Sequence, residues 1–185
     1  MAIVVVGGGG RSAGKTALVC GIIAALPEFE WTAVKITRHG HGDFEPIHEE
    51  TVPGQGTDTA RYLGAGARRA FLLTADDGEL PQRLSELKEK LDAASHVIFE
   101  SNRILNHLRP DLCVAIDSGI DAAQKPSFRL VEQQMHAVVR LDERGRFERG
   151  LELPVAKPVF HLAAFECISL PMREWLRERL NVRAG

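Results

Sequence analysis

The chain runs from five apolar residues, Ala2 to Val6, straight into four consecutive glycines, Gly7 to Gly10, before a helix-like stretch begins at Lys15. Glycine loses more backbone freedom on folding than any other residue, so "GGGGRSAGKT" suits a folded chain only where the backbone itself must come close to something. Within it, Gly9 to Thr16 reads G-x-x-x-x-G-K-T. Glycines let successive N–H groups turn inward around an anion with no side chain in the way. The helix that follows aims its own unpaired N–H groups at the same anion. This is the spacing of a phosphate-binding loop, with Lys15 placed to set its ammonium against β- and γ-phosphates and Thr16 to offer its hydroxyl to Mg²⁺. The candidate nucleotide contacts are Gly9, Gly10, Arg11, Ser12, Ala13, Gly14, Lys15, Thr16 and Ala17. The four fixed positions coincide by chance in roughly one chain of this length in a hundred. The apolar strand before the loop and the apolar helix after it supply the context that gives the motif weight.

Beyond the loop, β-branched runs alternate with helix-like stretches. Strands are predicted over Ala2–Val6, Trp31–Thr37, Arg69–Thr74, Ser95–Ser101, Asp111–Asp117 and Pro158–Leu162, with a strand, turn and strand around Arg144–Gly145. Helices are predicted over Lys15–Leu26, Thr57–Ala67 with Thr57 as N-cap, Pro81–Ala94, and a closing helix capped by Ser169 with Pro171 in its first turn. Arg38 to Gly56, rich in Gly, Pro and His, has no hydrophobic period and reads as a long loop of the kind that is functional or mobile. Such alternation implies a three-layer α/β domain with a mostly parallel sheet, of the kind built around a phosphate loop, spanning residues 1–185 as one unit. Ligands in these sheets bind beyond the carboxyl ends of the strands.

Composition narrows the classes. A net charge of −2 gives no global pull toward nucleic acid or an anionic membrane. No apolar run is long enough for a membrane helix, and the start lacks the basic flank of a signal peptide. Three cysteines, Cys20, Cys113 and Cys167, with no CxxC pair, suggest reduced thiols and a cytoplasmic protein.

The strand ends carry the remaining candidates. Glu100 closes "HVIFE", where an acid can hold Mg²⁺ or its water or orient an attacking water; the alternative is a surface carboxylate. Asp117 ends another strand in the same way. Lys35, inside "AVKIT", reaches toward phosphate or a substrate anion, or else runs out to solvent. Arg11 either contacts phosphate, in its own subunit or across a dimer, or is a solvated charge. His39, His41 and His48 lie near Asp43, Glu45, Glu49 and Glu50, a set suited either to a metal or to contacts with a substrate. His96, His107, His136 and His161 carry no spacing signal. No N-K-x-D stretch reads guanine, so these residues leave ATP and GTP both open.

Together, "GGRSAGKT", "AVKITRHGHGDFE", "GTDTARYLGAGARRAFLL" and "HVIFESNRIL" resemble the GTP-binding adaptor family of molybdopterin-guanine dinucleotide biosynthesis, the MobB type. The resemblance covers most of the first 105 residues. It implies weak GTP hydrolysis, Mg²⁺, a homodimer, and a role beside a molybdenum-cofactor nucleotidyltransferase in attaching a nucleotide to molybdopterin. By match, Gly14, Lys15 and Thr16 would bind phosphate and Mg²⁺, and Asp58 would sit near the metal or phosphate. Glu100 would be the strand-end acid. Lys15, Glu100 and Asp58 are thereby the expected catalytic groups, and Thr16, Asp58 and Glu100 the expected metal ligands. The chain departs from that pattern at Ser101-Asn102-Arg103, where the family has Gly-Phe-Lys, and at Thr57, where it has Lys; the segment after Leu108 matches poorly. A metal-insertion GTPase, a small-molecule kinase and a non-catalytic nucleotide-binding module are the alternatives.

Overall fold

The computed structural model describes residues 1–9, 14–38, 45–91, 96–117, 126–141 and 157–181. Eight strands form one sheet: β1 (Ala2–Gly8), β2 (Trp31–Thr37), β3 (Ile47–Glu50), β4 (Arg69–Thr74), β5 (His96–Glu100), β6 (Leu112–Ile116), β7 (Ala137–Leu141) and β8 (Val159–Leu162). Their order across the sheet is β3-β4-β2-β5-β1-β6-β7-β8. Every pairing is parallel except β3 with β4.

The period of two along each strand sorts side chains into two cores. Ala2, Val4 and Val6 of β1, Trp31 and Ala33 of β2 and Ile98 of β5 face one side. There they meet α1 (Lys15–Ala25), α2 (Asp58–Gly64) and α5 (Leu170–Asn181) through Leu18, Ile22, Tyr62, Met172 and Leu176. Val5, Val34, Ile36, Val97 and Phe99 face the other side, against α3 (Leu80–Leu91) and α4 (Pro126–Gln134) through Leu80, Leu87, Phe128 and Val131. This is the expected three-layer architecture. The central strands β1 and β6 are buried on both faces, which is why they read as unbroken apolar runs. Helix α1 is buried from Leu18 to Ile23, so it too is apolar all round.

Four sequence expectations change. Strand β1 does not stop at Val6 but continues through Gly7 and Gly8, which pair with Ala115 and Ile116 of β6 and so belong to the ladder. The stretch expected to be one long loop contains β3, an edge strand on which only Ile47 is buried. Helix α4 and a short 3₁₀ turn at Arg103–Asn106 were not anticipated, because each presents only two buried apolar residues or so among polar ones. Helix α2 stops at Gly64, short of Ala67, since Gly66 takes a φ of 103° that ends the turn. The second strand expected after Arg144–Gly145 lies outside the described residues.

Candidate functional site

Parity along β2 and β5 builds the centre of the site. Lys35 lies two residues beyond Ala33, and Glu100 two beyond Ile98, so both continue the rows that face α1 and α2. Lys35 and Glu100 are also direct register partners. Lys35, two residues before the end of β2, and Glu100, the last residue of β5, thus set opposite charges side by side near the carboxyl ends of the two strands.

Glu100 is only 2% exposed, and a buried carboxylate needs donors. It has three. Lys35 Nζ donates to Oε1, and the phenol of Tyr62, from α2, donates to Oε2. The hydroxyl of Thr16, in the first turn of α1, donates to Oε2 at 2.7 Å. Asp58, first residue of α2 and 39% exposed, adds a second carboxylate 3.1 Å from Lys35 Nζ. Thr57 caps α2 ahead of it, its Oγ1 accepting from the Ala60 N–H at 3.0 Å. Burial by itself pulls the Lys35 ammonium toward deprotonation, but the charges and hydrogen bonds of Glu100 and then Asp58 outweigh it and hold its pKa above 10.5. Burial, reinforced by Glu100, raises the Tyr62 phenol well above 10, so it keeps its proton and remains a donor. Burial pushes the nearby Cys20 thiol up to about 11, leaving no thiolate nucleophile there.

The ends of the glycine loop are held by packing. Gly14 caps α1 with a φ of 77°, a left-handed conformation that glycine adopts without strain. A Cβ there would fall within the ring of Phe165, which follows β8. Gly7 admits no Cβ either, because Val131 Cγ2 of α4 would stand 2.7 Å from it. The Asn102 side chain accepts from the Gly8 N–H and donates to the Gly8 carbonyl, both at 2.9 Å, and so anchors the strand that launches the loop.

Of the expected residues, Lys15, Thr16, Asp58 and Glu100 lie at the carboxyl edge, with Gly9, Gly14 and Ala17 flanking the loop. Gly10, Arg11, Ser12 and Ala13 lie outside the described residues, as do His39, His41 and Asp43. Lys35, left open by the sequence, belongs to the cluster. Asp117 does not: it is buried and accepts from Arg140 Nε of β7 at 2.9 Å, an ion pair that ties β6 to β7. Glu49 and Glu50 are also engaged elsewhere. Glu49 takes a fork of two hydrogen bonds from Arg69. Glu50 accepts from the Thr57 and Thr59 hydroxyls and from the Thr51 and Val52 N–H groups, fastening β3 to the start of α2. Tyr62 and Asn102 were missed. The signal for Tyr62 was present: it is the only tyrosine in the chain, and a buried phenol needs a partner.

Among the described residues no group of three or more His, Cys, Asp and Glu gathers to hold a metal. That donor set still fits Mg²⁺, which takes one or two protein oxygens and completes its shell with phosphates and water. Thr16 directs its proton to Glu100, which leaves its oxygen lone pairs for a cation, and Asp58 supplies a half-exposed carboxylate on the far side of Lys35 from Glu100.

No family model and no curated protein matches the chain. A solved structure is similar to it: LpxK from Aquifex aeolicus, in its "apo" form in complex with ATP, at 17% identity and a TM-score of 0.52. The likeness takes in 87% of this chain and 53% of that one, so this chain spans about half of that neighbour's length. It establishes the fold, a three-layer α/β arrangement on a mostly parallel sheet. Among the described residues no helix is long and apolar enough to cross a membrane.

Proposed function

We propose that the chain binds a nucleoside triphosphate with Mg²⁺ at the turn from β1 to α1 and transfers its terminal phosphoryl group, slowly to water or faster to a small acceptor. The observation that carries this is the Thr16–Glu100 hydrogen bond at 2.7 Å. It joins the last residue of the phosphate motif to a buried acid on the adjacent strand, and it presets the hydroxyl for a cation.

Each residue then has a role. Backbone N–H groups of the loop and of the first turn of α1 cradle the phosphates. The Lys15 ammonium sits against the β- and γ-phosphates. Thr16 would hold Mg²⁺, with Asp58 beside it; the ion would neutralise charge on the β- and γ-oxygens. Glu100 holds Thr16 in place and serves less as a ligand of its own, because Lys35, Tyr62 and Thr16 already occupy its oxygens. An oxygen nucleophile bonds to the γ-phosphorus as the bond to the β–γ bridging oxygen breaks. The nucleoside diphosphate leaves with that electron pair, and the nucleophile's proton passes to solvent.

A guanine base, a molybdopterin cargo and a homodimer are supported by the sequence resemblance alone. ATP is supported by the neighbour solved with it. Metal delivery rests on His39 and His41, which lie outside the described residues. The Glu100→Gln variant tests the reading: hydrolysis of nucleoside triphosphate should fall at least ten-fold while nucleotide affinity changes less than three-fold. Equal losses in both would make Glu100 a structural residue only.

A further inference from the structure

The opposite edge of the sheet carries a second feature. Below the amino ends of β6, β7 and β8 lies a cavity of about 760 Å³, within the size range of small-molecule sites. Its lining includes Arg109, Lys157 and Arg179, together with Gln133, Gln134 and His136, and among the described residues no carboxylate. The chain as a whole has 25 acidic and 23 basic residues, so this one-sided lining is not a reflection of composition.

The pairing of these cations sharpens the contrast. Arg38, Arg61, Arg69, Arg103 and Arg140 each sit in an ion pair. Arg109 and Arg179 have none among the described residues; Arg179 only lies over the Trp175 ring, 5.8 Å from its centroid. Lys157 is partly engaged, since its Nζ donates to the Met135 carbonyl just past the end of α4. His136 Nδ1 accepts from the Cys113 N–H at 3.0 Å, which fixes the ring in the cavity wall. Gln134 is positioned by its own bond to the Leu105 carbonyl. A concave surface that offers guanidinium forks, an ammonium and side-chain amides, with no acid among the described residues to answer them, matches an anion with several charged oxygens.

We infer that this cavity binds a small polyanion bearing phosphate or carboxylate groups, at a site separate from the phosphate loop. The loop leaves the carboxyl end of β1, and a five-residue strand spans about 16 Å, so one small ligand does not occupy both edges. The site stands whether or not the loop binds nucleotide.

Calorimetric titration of the full chain with pyrophosphate and, separately, with citrate at low ionic strength tests this. The Lys15→Ala background takes the phosphate loop out of the measurement. One saturable site should appear for at least one probe, and which probe binds tells phosphate from carboxylate ligands. Arg109→Gln combined with Arg179→Gln should weaken it at least ten-fold with the thermal transition preserved. Arg68→Gln, which removes an exposed charge just before β4, four strands across the sheet from β6, should leave it unchanged. No saturable binding of either probe overturns the inference. So does an equal loss in Arg68→Gln, which would mean diffuse attraction, or binding present in the parent chain and abolished by Lys15→Ala, which would assign it to the loop.

Discussion

Replacing Lys35 with methionine removes the charge partner of a buried acid while roughly keeping the stem's volume. Glu100 keeps Thr16 and Tyr62 on Oε2, but Oε1 loses its donor. Breaking a buried pair by deleting one member typically costs about 3–5 kcal/mol, because the surviving charge stays out of water. Lys35 is 21% exposed, so solvent reaches the end of the pair and the lower bound applies, about 3 kcal/mol. Asp58, at 39% exposed, returns to water at little cost. For a chain of this size the loss corresponds to a drop in Tm of roughly 6–12 °C. Urea denaturation followed by circular dichroism measures it. The double variant Lys35→Met/Glu100→Gln leaves no buried charge, and it should be more stable than the sum of the single losses by at least about 1 kcal/mol. The alkaline limb gives an independent reading. The fold raises the pKa of Lys35, so its contribution is fully present below 10.5 and is lost as pH rises through the higher folded value. The gap between wild type and Lys35→Met should therefore be constant below pH 10.5 and narrow above it. A loss under about 0.5 kcal/mol, or strict additivity in the cycle, would refute the reasoning.

Two other perturbations probe the frame of the site. Gly14→Ala puts a Cβ into the Phe165 ring at a φ of 77°. It should lose about 2 kcal/mol or more, since the left-handed conformation alone costs a non-glycine residue about 1–2 kcal/mol; Gly14→Ala/Phe165→Ala should relieve the steric part, visible in the melting temperature as an interaction between the two changes. At the other edge, burial lowers the pKa of His96, which packs against Phe29 and Trp31. Its contribution is present above the ordinary value of 6.5 and is lost as pH falls through the lowered folded value. Urea midpoints between pH 7 and 5 should fall more steeply for wild type than for His96→Gln, and parallel profiles would remove His96 from the account.

How much of this was readable beforehand follows from what each residue touches. The strands β2 and β4 were legible to the residue because mostly buried strands leave short, largely apolar runs, Trp31–Thr37 and Arg69–Thr74. Edge strand β3 was illegible because one buried side chain, Ile47, makes no pattern. The loop motif pointed to Thr16, and the strand end pointed to Glu100. Their direct bond links residues 84 apart in the chain, and no local rule supplies that. Lys35 was legible in principle: parity puts it on the face of Trp31 and Ala33, and Glu100 on the face of Ile98, so two strands carried opposite charges near their carboxyl ends. Tyr62 is a core residue, and its second role exists only because Glu100 arrives from 38 residues away. Asp117, which the sequence left open, shows the converse, since a strand-end acid serves equally well to clamp a neighbouring strand through Arg140.

The central claim, that Gly9 to Thr16 cradles the phosphates of a nucleotide, is tested most directly by calorimetric titration of wild type and Lys15→Ala with ATP and with GTP, each with Mg²⁺. Wild type should bind at least one of the two at a single site, with affinity falling at least ten-fold when Mg²⁺ is chelated. Lys15→Ala, folded by circular dichroism, should bind neither. Wild-type affinity in Lys15→Ala, or no binding by the wild type, would contradict the account.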